Sequence, residues 1–191
     1  IDAAVISALD SVAWLLNVRG SDVERTPVAL SFVIAHADGT AELFIAEDKV
    51  TPELRAHLGN AVTILPYTAF ASQLLELSGK TVAVDPDRAV QAVFAALSTA
   101  GARVVETLDP TVLPKAQKNP VEQAGQRAAQ ARDGAAIVKF LHWLSVEAPQ
   151  GGQDELSAAA RLRAFREETG LLRDLSFDTI SAAGPHAASP H

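Results

Sequence analysis

Between residues 28 and 107 short apolar runs alternate with segments of helix length, and no other feature constrains the fold of this chain as strongly. "VALSFVIA" (28–35) and "AELFIA" (41–46) flank "HADGT", whose Asp38-Gly39 pair suits a hairpin turn. Thr51 is placed to cap a short helix with Pro52 in its first turn, where a missing N–H costs nothing. "VTIL" (62–65) fits a buried strand. Residues 68–78 read as a helix with Ala71, Leu74, Leu75 and Leu77 apolar, and Gly79 as its stop. "TVAV" (81–84) is a further strand. Asp85-Pro86 then caps a predicted helix carrying Val90, Val93, Phe94 and Leu97, which Gly101 ends before the strand "ARVVET" (102–107). Short strands separated by helices of this length imply an α/β layer fold with a mixed sheet, parallel pairs and one antiparallel hairpin.

Beyond residue 107 the pattern changes. "LDPTVLPKAQKNP" (108–120) holds three prolines and suits a connector between domains. Asn119, Pro120 and Glu122 then form the start of a long helix: an N-cap acceptor, a first-turn proline and a capping-box glutamate. Val121, Ala124, Ala128, Ala131, Ala135 and Val138 recur behind them at three- and four-residue steps. "AAIVKFLHWL" (135–144) is apolar on nearly every side, so the helix is expected to enter a core. Gly134 costs about 1 kcal/mol relative to alanine in mid-helix, and close packing against another backbone is the expected reason. After the loop "EAPQGGQ", Asp154 caps a second helix with Ala158, Leu162 and Phe165 on one face, and Gly170 follows its end. "LSFDTIS" (175–181) reads as a strand. Two helices and one strand are too few to close a sheet-based core, so this segment is expected to be the front of a larger domain.

Composition excludes several classes. Sixteen basic against 23 acidic residues give a charge of −7, which argues against a nucleic-acid surface. No apolar run approaches the roughly 18 residues needed to span a bilayer, and no charged-then-apolar leader opens the chain, so a soluble protein is expected. Zero cysteines leave no disulfide or thiolate metal site and fit a cytoplasmic setting. The chain has no methionine and opens on Ile1, so both ends are read as cuts through a longer polypeptide.

The five histidines do not make a metal site. His36 lies at the mouth of the hairpin, His57 in a short helix and His142 beside Trp143, with no ligand spacing among them. His142 is expected to be structural, given its apolar neighbours, and His36 and His57 to lie at the surface. No glycine-rich phosphate loop or nucleophile elbow occurs. On composition alone the final "PHAASPH", with His186 and His191, is a tail. Residue chemistry by itself yields an α/β domain joined to a partial second one.

Three stretches carry a resemblance. "LDSVAWLLNVRGSDVERTPV" (9–28) resembles the Leu-Asp-x-Ile-Ala-Trp-Leu-x-Asn-Ile-Arg-Gly-x-Asp segment of the Xaa-Pro aminopeptidase (aminopeptidase P) family. "KNPVEQAGQRAAQARDGAAIVKFLHWL" (118–144) looks like that family's linker and first catalytic-domain helix. "LSFDTISAAGPHAASPH" (175–191) is similar to its Ser-Phe-x-Thr-Ile-x-x-x-Gly-Pro-x-x-Ala-x-x-His stretch.

The resemblance implies a creatinase/prolidase amino-terminal-type α/β domain over residues 1–113. It implies the start of an α+β pita-bread metallopeptidase domain, truncated, over 114–191. It implies hydrolysis of the bond between an amino-terminal residue and a following proline by two divalent metals, usually manganese, which activate a water. The family's ligands, two aspartates, a histidine and two glutamates, fall in segments beyond the Gly-Pro turn, so no metal ligand is assigned in this chain. His191 matches the histidine that closes the third motif and lies at the family's active-site mouth, where it assists substrate binding or proton transfer. Ser189-Pro190 stand where the family often has two aliphatic residues, and His186 takes a variable position without a role. Peptides with proline second are the implied partners, with a homodimer expected for the full-length protein and no nucleic acid or membrane. The isolated chain is expected to be inactive. A non-catalytic pita-bread module binding peptides or histones, or a prolidase- or creatinase-type hydrolase, is the alternative reading.

Overall fold

The alternation resolves, in the computed structural model, into a six-stranded mixed sheet with helices on both faces. Residues 1–188 are described, in two units that divide between Gln117 and Lys118.

In the first unit the strands are β1 (Ala3–Ile6), β2 (Ser31–His36), β3 (Ala41–Ile45), β4 (Val62–Pro66), β5 (Thr81–Val84) and β6 (Arg103–Glu106). Their order across the sheet is β4-β3-β2-β1-β5-β6. β1 is the seam between the two halves: it runs antiparallel to β2, with Val5 opposite Ile34, and parallel to β5, with Val5 opposite Val84. All four of its residues are buried, as a strand covered on both faces must be. β2 and β3 form the expected hairpin, and Gly39 turns it with φ 89°, a conformation open to glycine. The sheet therefore has two antiparallel pairs where one was expected, because β1 inserts beside β2. "VTIL" forms β4 at the sheet's edge, and it is half-buried there.

Residue alternation sends successive side chains to opposite faces. On one face Val5, Ile34, Phe44, Val82 and Val84 pack under α3 (Phe70–Leu75) and α4 (Gln91–Ala100), through Phe70, Leu74, Val93 and Leu97. Phe70 stacks on Phe32 at 4.1 Å and meets Phe44 edge-on at 5.2 Å. On the other face Ile6, Val33, Leu43 and Ile45 pack under α1 (Leu9–Leu15) and α2 (Pro52–Leu58), through Val12, Leu54 and Leu58. Each large apolar side chain so enclosed contributes about 1.5–3 kcal/mol.

Helix ends follow local chemistry in part. Thr51 accepts the Leu54 N–H at 3.2 Å, and Gly101 closes α4 in the left-handed region. Asp85 does not cap α4, which begins six residues later at Gln91. Its carboxylate is taken up by the amides of Asp87 and Asp109, at 3.0 and 2.8 Å. The unit boundary falls inside the proline-rich stretch, between Gln117 and Lys118, but most of that stretch is anchored in the first unit. Asp109 and Thr111 are buried, and α5 (Val112–Ala116) belongs to the first unit.

The second unit is built on α6 (Pro120–Glu147) and α7 (Glu155–Glu167). A capping box starts α6: Asn119 accepts the Glu122 N–H at 2.9 Å, and Glu122 accepts the Asn119 N–H at 2.8 Å. Asp154 and Ser157 make the same reciprocal pair on α7. Between the helices Arg166 donates to both oxygens of Asp133, at 2.7 and 3.1 Å. The Arg161 guanidinium lies 4.4 Å from the Phe165 ring.

Three expectations for this unit fail. Ala136 is the buried residue of α6, while Val138 and Leu141 are exposed, since α7 covers one side of a helix that is apolar on several. Gly134 has open space where a Cβ would stand, so close backbone approach is not its reason. "LSFDTIS" is not a strand: among the described residues no strand pairs with it, and Phe177 and Ile180 stay exposed.

Candidate functional site

The Asn-Val-Arg-Gly-Ser-Asp segment is built as a lock on the end of α1. Asn17 adopts φ 49°, so that its N–H reaches the Trp14 carbonyl at 3.2 Å while the Val18 N–H reaches the Ala13 carbonyl at 3.0 Å. This is a Schellman closure with asparagine in the left-handed position. Arg19 then donates to the carbonyls of Ala13 and Val18, at 3.2 and 2.9 Å, placing its charge at the negative end of the helix. The His57 ring contacts the Leu16 carbonyl at 3.0 Å. Gly20 lies against Ala29, and Asp22 accepts from the Leu30 N–H and the Lys49 ammonium, each at 2.6 Å. These two groups, the ammonium first, hold the Asp22 carboxyl below its ordinary range. A cavity of about 240 Å³ opens beside the loop, with Val12, Leu43, Ile45 and Leu54 as its apolar wall and Arg19 and Asp22 as its polar one. The motif's charged groups thus serve the fold.

A second charged cluster joins the end of β5 to α1 and α5. Asp10 pairs with Lys115 and lies 3.8 Å from Arg88, whose Nε is 3.5 Å from Asp85. Its carboxylates are matched by cations and amides, and no hydroxyl or imidazole in it forms a nucleophile–base pair.

Among the described residues the histidines do not gather into a metal-binding group. His36 is half-buried, 3.5 Å from Glu42, and His57 is exposed at its helix-end contact. His142 is exposed, contrary to the structural role its apolar neighbours suggest, because that side of α6 is uncovered. His191 lies outside the described residues.

His186 is held, although its motif position assigns it no role. The Glu155 carboxylate accepts the Ala183 N–H at 2.6 Å and meets His186 Nδ1 at 3.0 Å. The Ala183 amide first, and His186 second, hold this carboxyl below its ordinary range. Nothing in the sequence signals the contact, because Glu155 reads there as a first-turn helix residue.

Among the described residues no three His, Asp or Glu side chains come close enough to hold a metal ion, so these residues do not fit a dinuclear centre. No helix among them is long and apolar enough to cross a membrane.

Over 98% of its length the chain is 39% identical to an Aspergillus clavatus protein named "Probable Xaa-Pro aminopeptidase P". It is 41% identical to a Neosartorya fischeri protein of that name over the same share. The chain spans 30% of the length of each of these relatives. Among solved structures, X-prolyl aminopeptidase from Caenorhabditis elegans, described as a cytosolic enzyme with a di-nuclear active site, superposes with a TM-score of 0.89 at 34% identity. That match covers the whole of this chain and 32% of the worm enzyme. X-Pro aminopeptidase from Thermotoga maritima, at 20% identity and a TM-score of 0.67, shares the fold. Residues 1–122, which include the whole six-stranded sheet, match the family model of the creatinase/prolidase N-terminal domain, and the chain belongs to that family.

Proposed function

We propose that this chain is part of a metal-dependent Xaa-Pro aminopeptidase, which removes an amino-terminal residue standing before proline. The observation that carries this reading is the continuity of the match. Identity of 39–41% runs through both units, over 98% of the chain, to proteins named for that activity. A likeness confined to the first unit would have supported a shared scaffold and nothing more.

In this reading the first unit is scaffold, and the second opens a pita-bread catalytic domain. Two divalent cations, manganese in our reading, activate the attacking water and are held by residues outside those described. His191 is the residue of this chain assigned to the reaction, assisting substrate binding or proton transfer, a role that typically contributes ~10²–10⁴-fold to rate. Peptides with proline second are the substrates, the working form is a cytoplasmic homodimer, and no nucleic acid takes part.

The test has two arms. Incubated with manganese and an Xaa-Pro peptide, the 191-residue chain releases no amino acid, whereas the full-length protein does. In the full-length protein His191→Ala lowers kcat by about tenfold or more. Turnover by the short chain removes the fragment reading, a silent full-length protein removes the peptidase, and an unchanged kcat removes His191 from the site.

A further inference from the structure

Glu155 occupies the first position of α7, where its charge complements the helix dipole, but its hydrogen bonds go elsewhere. A carboxylate in a first turn ordinarily faces solvent and complements the helix dipole. The capping of α7 is already done by Asp154, whose Oδ1 accepts the Ser157 N–H at 2.7 Å. Glu155 instead reaches residues 28 and 31 positions further along the chain. It accepts the Ala183 N–H at 2.6 Å, and His186 Nδ1 lies 3.0 Å from each of its oxygens. The turn it holds is also closed on itself, through the His186 N–H on the Ala183 carbonyl at 3.2 Å, with Gly184 at φ 54°.

The stretch between α7 and this turn, residues 171–183, contains neither helix nor strand. Such a segment gets its position from side-chain contacts with regular elements. A charge-assisted pair of bonds from a helix end is a strong contact of that kind.

We propose that Glu155 is a positioning residue, which pins the Ala183–His186 turn to α7 and so sets where the chain begins its run to His191. The consequence for catalysis rests on the aminopeptidase reading above; the tether does not.

The experiment uses the full-length protein with Glu155→Ala and Glu155→Gln. Losing a charged hydrogen bond should raise amide exchange at Ala183 by about tenfold or more in Glu155→Ala. The carboxamide oxygen of Glu155→Gln should restore part of the protection. On an Xaa-Pro peptide, Glu155→Ala should lower kcat by about tenfold with KM nearly unchanged, and Glu155→Gln should recover part of it. Unchanged exchange at Ala183 overturns the tether. Faster exchange with an unchanged kcat overturns the positioning role and leaves the aminopeptidase reading standing. A wild-type protein without turnover overturns that reading and the positioning role together, while the exchange data still decide the tether.

Discussion

The Asp85 carboxylate accepts the backbone N–H of Asp109 at 2.8 Å, and each residue is only 5% exposed. Asp109 in turn accepts the amide and the hydroxyl of Thr111, each at 2.8 Å, so a buried relay of polar groups carries the end of β5 into the start of α5. Asp85→Ala leaves the buried Asp109 amide, and the part-buried Asp87 amide, without their acceptor. We expect a loss of about 2 kcal/mol in urea unfolding. Asp85→Asn keeps one acceptor oxygen and should lose less. Equal stability of the wild type and the alanine variant would mean that solvent reaches these amides.

Gly20→Ala should destabilise the first unit. A Cβ there would stand 2.7 Å from the Ala29 backbone nitrogen and 2.8 Å from its Cα, and backbone atoms cannot swing aside as a flexible side chain does. Overpacking of this kind costs about 1–3 kcal/mol. Thermal unfolding of the variant measures it directly.

Ser11→Ala should have the opposite sign. Ser11 is fully buried on α1, and its hydroxyl has no hydrogen-bond partner among the described residues. Replacing it by a methyl removes the cost of burying an unpaired polar group and raises helix propensity, a gain of about 1 kcal/mol. A lower unfolding midpoint in the variant would show that the hydroxyl is in fact bonded, through a buried water.

Acid should weaken the docking of α5. The Lys115 hydrogen bond, with its charge and that of Arg88, holds the Asp10 carboxyl below its ordinary value of 3.8. A carboxyl depressed on folding contributes stability above its unfolded pKa and loses it as pH falls through the lower folded value. The wild type should therefore lose more stability than Asp10→Asn below about pH 4. Urea midpoints of the two proteins across that range give the comparison, and parallel curves would show that the pair adds nothing.

Much of the fold is legible before any coordinate is seen, and the legible part has one character. Thr51, Asn119 and Asp154 each cap a helix through an amide three residues away, and Gly101 ends α4 within one turn of its last carbonyls. The Asp38-Gly39 turn joins strands adjacent in the chain. β1 escapes such a reading. "AAVI" is only four residues long and half alanine, and it becomes the buried seam of the sheet through β2 and through β5, which lies about eighty residues downstream. The start of α4 escapes it too, because Asp109 claims the aspartate that would have capped an earlier helix.

The candidate site divides along the same line. The residues alone determined the alternating α/β plan, the helix caps and the three motifs that resemble the aminopeptidase family, since all of these are written in neighbouring positions. Only the tertiary structure decided that Asp22 of the Asn-Val-Arg-Gly-Ser-Asp loop is taken up by Leu30 and Lys49, that His142 lies uncovered, and that Glu155 reaches the Ala183–His186 turn. Hydrogen bonds within one helical turn depend on neighbouring residues, whereas pairing across a sheet or between a helix and a distant turn depends on where the whole chain has brought its parts.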